Sequence, residues 1–215
     1  MKTLTNIQRK DHIARMIRDE ILNGNIEPDE ELAQEALAEM LGVSRMPVRE
    51  ALQTLVQEGF AKRLPNRHIQ AVVLDSRQIH EVFQVASAME GELAVLTLDH
   101  QNSRDGSEGI AKELKYVLKL MGETPDFSRQ AEYEMEFHNK LLNMADNPYL
   151  EQLFCKIMDG YIAFAVQNLG DKNSVQALLA RIVEAMEKKD HGGIKEGLQK
   201  YYLLYADELT ERWKK

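Results

Sequence analysis

The sequence predicts a mainly α-helical protein in two parts. Residues 1–74 are expected to form a winged helix-turn-helix, and residues 75–215 an all-α bundle of about six helices. Three observations support this fold class. Apolar residues recur at helical spacing through most of the chain. A tight turn with a glycine separates two of the first three helical segments. Strand-like runs occur directly after the third segment, and no strand signal follows Asp75.

Two helices are predicted before residue 42. The first covers residues 5–23, ends at Gly24 and should bury a stripe made of Ile13, Met16, Ile17 and Ile21. A turn with Pro28 follows, because proline and its polar neighbours interrupt the helical pattern. The second helix covers residues 31–41 and is predicted to bury Leu32, Ala36, Leu37 and Leu41.

The third helix begins two residues after the second one ends at Gly42. Ser44 is a good N-cap, so this helix should start at about residue 45, and Gly59 should end it. Its predicted buried face consists of Val48, Leu52, Leu55 and Val56. In a helix-turn-helix the second helix of the pair enters the major groove by its N-terminal end. Arg45 and Arg49 share one face there, which predicts a negatively charged partner.

A hairpin is predicted after the third helix. Residues 60–64 and 69–74 are short strand-like runs, and the turn between them contains Pro65 and Asn66. Such a hairpin forms the wing of a winged helix. Arg67 and His68 lie at its turn.

The rest of the chain shows helical patterning. Asp75 and Gln78 can cap a helix that continues to about residue 99. Glycine, proline and asparagine mark the later breaks, one of them at residues 102–106. The remaining helices are predicted at 108–122, 127–144, 149–168, 174–189 and 193–213.

Composition excludes some classes of protein but not DNA binding. The net charge is -8, yet residues 1–75 carry 10 Lys+Arg against 12 Asp+Glu, and the rest carry 17 against 23. Most of the excess acid therefore lies outside the segment with the arginines, and the local field matters more than the total. No apolar run approaches the roughly 20 residues of a membrane helix. With no signal peptide at the N-terminus and one cysteine, a cytoplasmic protein is expected.

Two segments resemble a known family. LAEMLGVSRMPVREALQTLVQEGF (37–60) closely resembles the signature of GntR-type bacterial transcription regulators, and EMEFHNKLLNMADNPYL (134–150) resembles the FCD domain of the FadR-type subfamily. The resemblance implies an N-terminal DNA-binding domain and a C-terminal, FCD-like domain for effector binding and dimerisation. The implied function is that of an effector-responsive regulator that binds a palindromic operator in double-stranded DNA as a homodimer. The small-molecule effector is not identified.

The resemblance also implies roles for residues of the N-terminal part. Arg45 and Arg49 match positions that the family places on guanine edges and phosphates, which suits the bidentate geometry of guanidinium. The alternative is that both arginines only decorate a solvated face. Met46 replaces the common threonine, and Glu35 stands where some relatives present an arginine. The candidate DNA-binding residues are Ser44, Arg45, Met46, Arg49, Arg67 and His68, the last of which replaces a usual glycine.

The FCD resemblance raises the question of a metal. Many FCD domains bind a divalent ion through one aspartate and three histidines. Glu134 and His138 could provide half of such a site, but Leu179 and Tyr201 stand where two histidines are expected, and Ala86 replaces an effector-binding arginine. We therefore expect no metal and no cofactor. Glu134, His138 and Tyr201 remain the candidate ligand-binding residues.

Other interpretations stay open at this point. Glu134 and His138 could form a surface ion pair or lie in the core, and His191 could supply a metal ligand instead. Further tyrosines of the C-terminal half could line a pocket or belong to the core: Tyr161, Tyr202 and Tyr205. An enzyme is not expected, because the one nucleophile-base pair would be Cys155 with His138, and a lone cysteine in an apolar helix is usually packing. The alternative function is a protein-interaction module that uses its winged helix to bind a partner protein.

Overall fold

A computed structural model of the chain describes residues 6–101 and 107–213, and the mainly α-helical fold is confirmed. The chain divides into two units, Met1–Leu74 and Asp75–Lys215. Within the described ranges, no helix is long and apolar enough to cross a membrane. The start of the first helix at residue 5 and the predicted break at residues 102–106 fall outside the described residues.

The first unit is a winged helix-turn-helix. Its elements, in chain order, are α1 (Asn6–Leu22), α2 (Gln34–Leu41), α3 (Arg45–Glu58), β1 (Ala61–Arg63) and β2 (Ile69–Ala71). The two strands pair antiparallel, with Lys62 opposite Gln70. Contacts of α1 and α2 with α3, and of α3 with β1, join the helices to the hairpin.

The second helix begins later than the sequence suggested. Glu31 forms an antiparallel bridge with Gln70, and the backbone N–H of Leu32 donates to the carbonyl of Ile69 at 2.8 Å. Residues 31–32 therefore extend the small sheet, and α2 starts at Gln34. The prediction of a helix from residue 31 was wrong because the bridge to Gln70 joins residues far apart in the chain, which the local helical spacing of Leu32, Ala36 and Leu37 cannot indicate.

The buried faces of the first unit are partly as predicted. Ile13, Ile17 and Ile21 are buried, but Met16 is 40% exposed. In α2 the buried residues are Leu37 and Ala38, whereas Ala36 is exposed and Leu41 is half-buried, because the shorter helix presents only one turn to the core. The buried residues of α3 are Pro47, Val48, Ala51, Leu52 and Leu55, while Val56 is half-buried.

The turn between α2 and α3 depends on glycine. Gly42 has φ 63°, in the left-handed region that residues with a Cβ avoid, and its N–H bonds the last turn of α2. Ser44 occupies the N-cap position of α3 without a side-chain capping bond, and Gly59 ends the helix with φ 84°. Both predicted ends of α3 are confirmed.

The second unit is an all-helical bundle. Its helices are α4 (Ser76–Gln101), α5 (Ser107–Glu123), α6 (Phe127–Met144), α7 (Pro148–Ile157), α8 (Ala163–Asn168), α9 (Lys172–Glu187) and α10 (His191–Trp213). α10 packs against α4 and α9, and α5 packs against α6 and α9. Asp75 and Gln78 cap α4 reciprocally: each backbone N–H donates to the other side chain, at 3.0 and 2.8 Å.

A kink interrupts the segment that the sequence predicted as one helix over 149–168. Asp159 has ψ 96°, and Gly160 has φ 142° and ψ -119°, so the helix breaks between α7 and α8. Only glycine adopts this conformation without strain. The prediction of an unbroken helix was wrong here because a single glycine is otherwise tolerated inside a helical pattern.

Candidate DNA-binding residues and a buried polar cluster

The N-terminal turns of α3 present side chains to solvent on one face. Arg45, Met46 and Arg49 are exposed, with Met46 at 54%, while Pro47 and Val48 between them are buried. The buried face fixes the orientation of the helix, so the two guanidinium groups are held outward. This arrangement can offer bidentate donors to an anionic or base-edge acceptor.

Acidic residues that precede α2 or lie in its first turn pair with several of the nearby cations. Arg45 forms an ion pair with Glu35, and Lys62 forms one with Asp29. His68 lies 2.6 Å from Glu31, measured from Nδ1 to Oε1. Within the described parts of the chain, Arg49 and Arg67 have no ion-pair partner. Glu35, predicted to replace a DNA-binding arginine, therefore contacts Arg45.

Arg67 is the residue of the hairpin turn whose backbone has a left-handed conformation. The N–H of Arg67 donates to the carbonyl of Leu64 at 2.9 Å, and that of Leu64 donates to the carbonyl of His68 at 2.8 Å. Arg67 has φ 69°, a conformation that glycine adopts more readily. The side chain of Asn66 supports the turn by accepting from the N–H of His68 at 3.1 Å. His68 itself is exposed and directed to Glu31.

The three candidate ligand-binding residues come together inside the second unit. Glu134 and His138 lie on α6 and Tyr201 lies on α10, and each is at most 1% exposed. They belong to a connected group of polar side chains that we call the buried cluster: Glu90, Glu134, His138, Lys172, Tyr201, Tyr202 and Tyr205. The alternative of a surface ion pair for Glu134 and His138 is thereby excluded.

Glu134 accepts three hydrogen bonds. Its Oε1 accepts from the hydroxyls of Tyr201 and Tyr205, both at 2.7 Å, and its Oε2 accepts from the ammonium of Lys172 at 2.9 Å. Lys172 uses its other two protons on the carbonyl of Val166 at 2.6 Å and on the Tyr205 oxygen at 2.9 Å. Every proton of this buried ammonium therefore has an acceptor, as a buried charge requires.

His138 connects the two carboxylates of the cluster. Its Nδ1 lies 2.5 Å from Oε1 of Glu90, and its Nε2 lies 2.7 Å from the Tyr201 oxygen. Because Tyr201 gives its one proton to Glu134, its oxygen can only accept from an Nε2–H. The imidazole then donates from both nitrogens, as imidazolium does. Two carboxylates are thus balanced by one ammonium and one imidazolium.

The electrostatics agree with this proton assignment. Burial by itself lowers the pKa of His138, but the Glu90 carboxylate and its hydrogen bond outweigh burial and raise that pKa above its ordinary value. Burial and the carboxylate of Glu134 raise the pKa of Tyr201 well above its ordinary range. Burial and Glu90 do the same for Tyr202. The tyrosines therefore stay neutral and act as hydrogen-bond donors.

The buried cluster does not fit a divalent metal. A metal would need Oε2 of Glu134 and the lone pair on Nε2 of His138 as ligands. However, Oε2 of Glu134 accepts a hydrogen bond from Lys172, and Nε2 of His138 faces the hydroxyl of Tyr201. Leu179, at a position where the family has a histidine, is buried and apolar, and His191 is exposed. Among the described residues, no three or more His, Cys, Asp or Glu side chains are grouped to hold an ion.

Sequence reasoning did not single out Glu90 and Lys172. Lys172 directly follows the N-cap Asp171 of α9, where a lysine usually points to solvent. Glu90 has one detectable signal, since it interrupts an otherwise small and apolar face of α4 that includes Ala86 and Leu93. Tyr202 and Tyr205, predicted to line a pocket or to belong to the core, are buried with hydrogen-bonded hydroxyls, and Tyr202 also lines a cavity between α4 and α10.

The nucleophile-base pair considered from the sequence does not exist. Cys155 is exposed rather than packed in the core, and partial burial with the nearby acids Glu151 and Asp159 raises the pKa of its thiol. A raised pKa disfavours the reactive thiolate. His138 has both ring nitrogens bonded to Glu90 and Tyr201. This arrangement provides no activated cysteine.

Comparison with known proteins agrees with both units. Residues 9–69 match the family described as bacterial regulatory proteins, gntR family, and residues 81–202 match the FCD domain. The chain is 23% identical over 197 residues to the HTH-type transcriptional regulator YdhC of Bacillus subtilis, covering 90% of this chain and 86% of that protein. It is 22% identical over 212 residues to the gluconate operon transcriptional repressor of the same species, covering 94% and 85%.

A solved structure shares the fold. McbR/YncC of E. coli superposes with a TM-score of 0.65 at 17% identity, covering 98% of this chain and all of that one. Together with the family matches, this accounts for both the winged helix-turn-helix and the helical bundle. The chain therefore belongs to the GntR family of bacterial transcription regulators, with an FCD effector-binding domain after its DNA-binding domain, and is not an enzyme.

Proposed function

We propose that the protein is a homodimer in which each winged helix-turn-helix reads one half-site of a palindromic operator. Two-fold symmetry of the DNA site corresponds to two-fold symmetry of the protein. The proposal includes a role in the cytoplasm, where the operator is accessible. Light scattering tests the assembly, since a dimer has twice the 24.6 kDa mass of the chain. A monomer at micromolar concentration would contradict this part of the proposal.

One observation carries the proposal for DNA: Arg49 is exposed on the outer face of α3 and, within the described ranges, has no ion-pair partner. Arg45 and Arg49 would contact guanine edges and the adjacent phosphates, and Met46 would lie against a thymine methyl group. Ser44 and the first turn of α3 would contact a phosphate. In the wing, Arg67 and His68 would contact the backbone or the minor groove.

Replacing Arg49 by alanine tests this proposal. The loss of a bidentate base or phosphate contact should cost about 1–3 kcal/mol of operator binding. Fluorescence anisotropy with a selected operator duplex would measure the effect. Arg181→Ala, at an exposed arginine on α9, is a matched control that should bind as the wild type does. Equal affinity of the wild type and Arg49→Ala would remove Arg49 from the interface.

The second unit would convert effector binding into a change of DNA affinity. We propose that Glu134, His138 and Tyr201 take part in this response as the polar interior of the sensor. Their positions inside the buried cluster support a response through hydrogen-bond rearrangement, because the network couples α4, α6, α9 and α10. Effector binding would then shift the population between two dimer geometries that fit the half-site spacing differently.

A further inference from the structure

A cavity between α4 and α10 adjoins the buried cluster. It has a volume of about 210 Å³, and its floor is formed by Phe83 and Tyr202, each 1% exposed. The two rings meet edge to face, with centroids 6.3 Å apart. Its rim consists of exposed side chains, Gln84, Gln199 and Leu203. A cavity of about 150 Å³ can accommodate benzene, so this one is large enough for a substituted aromatic ring.

Ser87 supplies a polar group to the cavity. This residue lines the cavity and is 7% exposed, and among the described residues its hydroxyl has no hydrogen-bond partner. This oxygen is not among the fully buried polar atoms that lack a partner, so it is accessible from the cavity, where a ligand carbonyl could accept its proton. The Ser87 hydroxyl therefore gives the largely apolar cavity one accessible hydrogen-bonding group that a ligand can reach.

The lining determines which ligand chemistry fits. None of the described lining residues is lysine, arginine, aspartate or glutamate. His80, at the edge, has both ring nitrogens engaged: Nδ1 lies 2.6 Å from the carbonyl of Ser76, and Nε2 lies 2.8 Å from Asp207. An anionic ligand would lose hydration here without gaining a cationic partner. Amide side chains and aromatic rings instead suit an uncharged molecule with a flat apolar part.

We propose that this cavity is the effector site and that its ligand is a small, uncharged aromatic compound with an amide or hydroxyl group. The ring would lie against Phe83 and Tyr202, and the polar group would bond Ser87 and the rim amide of Gln84 or Gln199. This inference rests on the proposed sensing role of the second unit.

Tyr202 connects the cavity to the buried cluster. Its ring forms part of the cavity floor, and its hydroxyl donates to Oε2 of Glu90 at 2.7 Å. Glu90 in turn accepts from His138. The same hydroxyl lies 3.6 Å from the sulfur of Met158, at the start of the kink between α7 and α8. A ligand that shifts the Tyr202 ring would therefore change the hydrogen bond to Glu90 in the buried cluster and the contact with Met158 at the kink.

Benzamide is a suitable probe, and benzoate is its charged counterpart of the same shape. In a ligand-observed NMR titration of the full chain, benzamide should bind with a Kd of about 1 mM, as expected for a fragment of this size. Benzoate should bind at least about tenfold more weakly. Ser87→Ala removes one neutral hydrogen bond and should weaken benzamide binding about three- to tenfold.

Gln199→Trp fills the cavity from its exposed rim and should abolish benzamide binding without disturbing the core. Gln152→Trp, at an exposed glutamine on α7, is the matched control and should bind as the wild type does. Equal binding of benzoate and benzamide, unchanged binding to Gln199→Trp, or no binding of benzamide at about 10 mM would each overturn the inference. Operator binding is measured on the same wild-type sample to separate the two proposals. If the wild type does not bind the operator, the proposed function is contradicted. If it binds the operator but not benzamide, only the assignment of the cavity as the effector site is contradicted.

Discussion

At the scale of single residues, the cations of the first unit differ in whether an existing ion pair must break before they bind DNA. Arg45 is paired with Glu35 and His68 with Glu31, whereas Arg49 and Arg67 have no ion-pair partner among the described residues. Exposed ion pairs contribute little to stability, so their main effect here is on binding. To bind Arg45, a phosphate or base must displace the Glu35 carboxylate, whose negative charge stays nearby and weakens the binding of DNA.

Glu35→Gln should therefore strengthen operator binding. Glutamine keeps the size and helix propensity of the side chain but removes the charge, and the loss of an exposed ion pair corresponds to about a two- to fivefold gain in affinity. Fluorescence anisotropy at low salt would measure it, with Glu39→Gln as the control at another exposed glutamate of α2. Weaker binding of Glu35→Gln would instead indicate that this carboxylate accepts a hydrogen bond from a base, such as the cytosine amino group.

The proton on His138 predicts how stability depends on pH. Its pKa in the folded protein is raised above the ordinary value of 6.5 that applies when the chain is unfolded. The stabilisation from this proton is complete below about pH 6.5 and is lost as the pH rises through the folded-state pKa. We expect the free energy of unfolding to fall by up to about 1.4 kcal/mol per pH unit within that window.

Urea unfolding between about pH 6 and pH 8.5 measures this dependence. The reference is the double variant Glu90→Gln with His138→Gln, which removes the carboxylate and the imidazolium together and so leaves the cluster balanced. The stability difference between wild type and double variant should shrink as the pH rises. The same pH dependence in both proteins would show that His138 is not the titrating group.

At the scale of elements, the sequence predicts most helix ends because they carry local chemical signals. Gly42, Gly59 and the Asp75–Gln78 pair mark their helix ends as expected. The late start of α2 was missed because it depends on the bridge from Glu31 to Gln70, which lie far apart in the chain. Of the buried cluster, the sequence singled out only Glu134, His138 and Tyr201, as candidate ligand-binding residues, and that role stays a prediction. The other members of the cluster come from helices whose relative packing no local pattern specifies.

The kink between α7 and α8 gives a prediction at this scale. Gly160 is buried with φ 142°, so an alanine there must either adopt a strained backbone or straighten the helix. We expect Gly160→Ala to lower the free energy of unfolding by about 1–3 kcal/mol. Gly109→Ala is the control: it is exposed on α5, has no atom near the added Cβ, and should be neutral or raise stability by up to about 1 kcal/mol. If both variants behave alike in urea unfolding, Gly160 is not required for the kink.

At the scale of the whole molecule, an acidic protein must bind an acidic polymer. The net charge of -8 opposes approach to DNA at long range, so binding should depend on the few cations presented locally. Neutralising phosphates releases counterions, and the logarithm of the binding constant falls by about 0.9 per phosphate for each unit of log salt. The slope of log K against log salt therefore gives the number of phosphates that the bound protein neutralises.

If Arg45, Arg49 and Arg67 of both subunits each neutralise one phosphate, the slope of log K against log salt should be about -5 for the dimer. Arg67→Ala removes one contact per subunit and should reduce the slope to about -4, with a loss of affinity that is similar for all DNA sequences. Arg67→Gly should lose the same contact yet retain or gain stability, because glycine accepts the left-handed φ of 69° found at this position. Arg181→Ala should leave the slope unchanged. A slope near zero for the wild type would favour a winged helix that binds a partner protein, since the counterion release that DNA requires would then be missing.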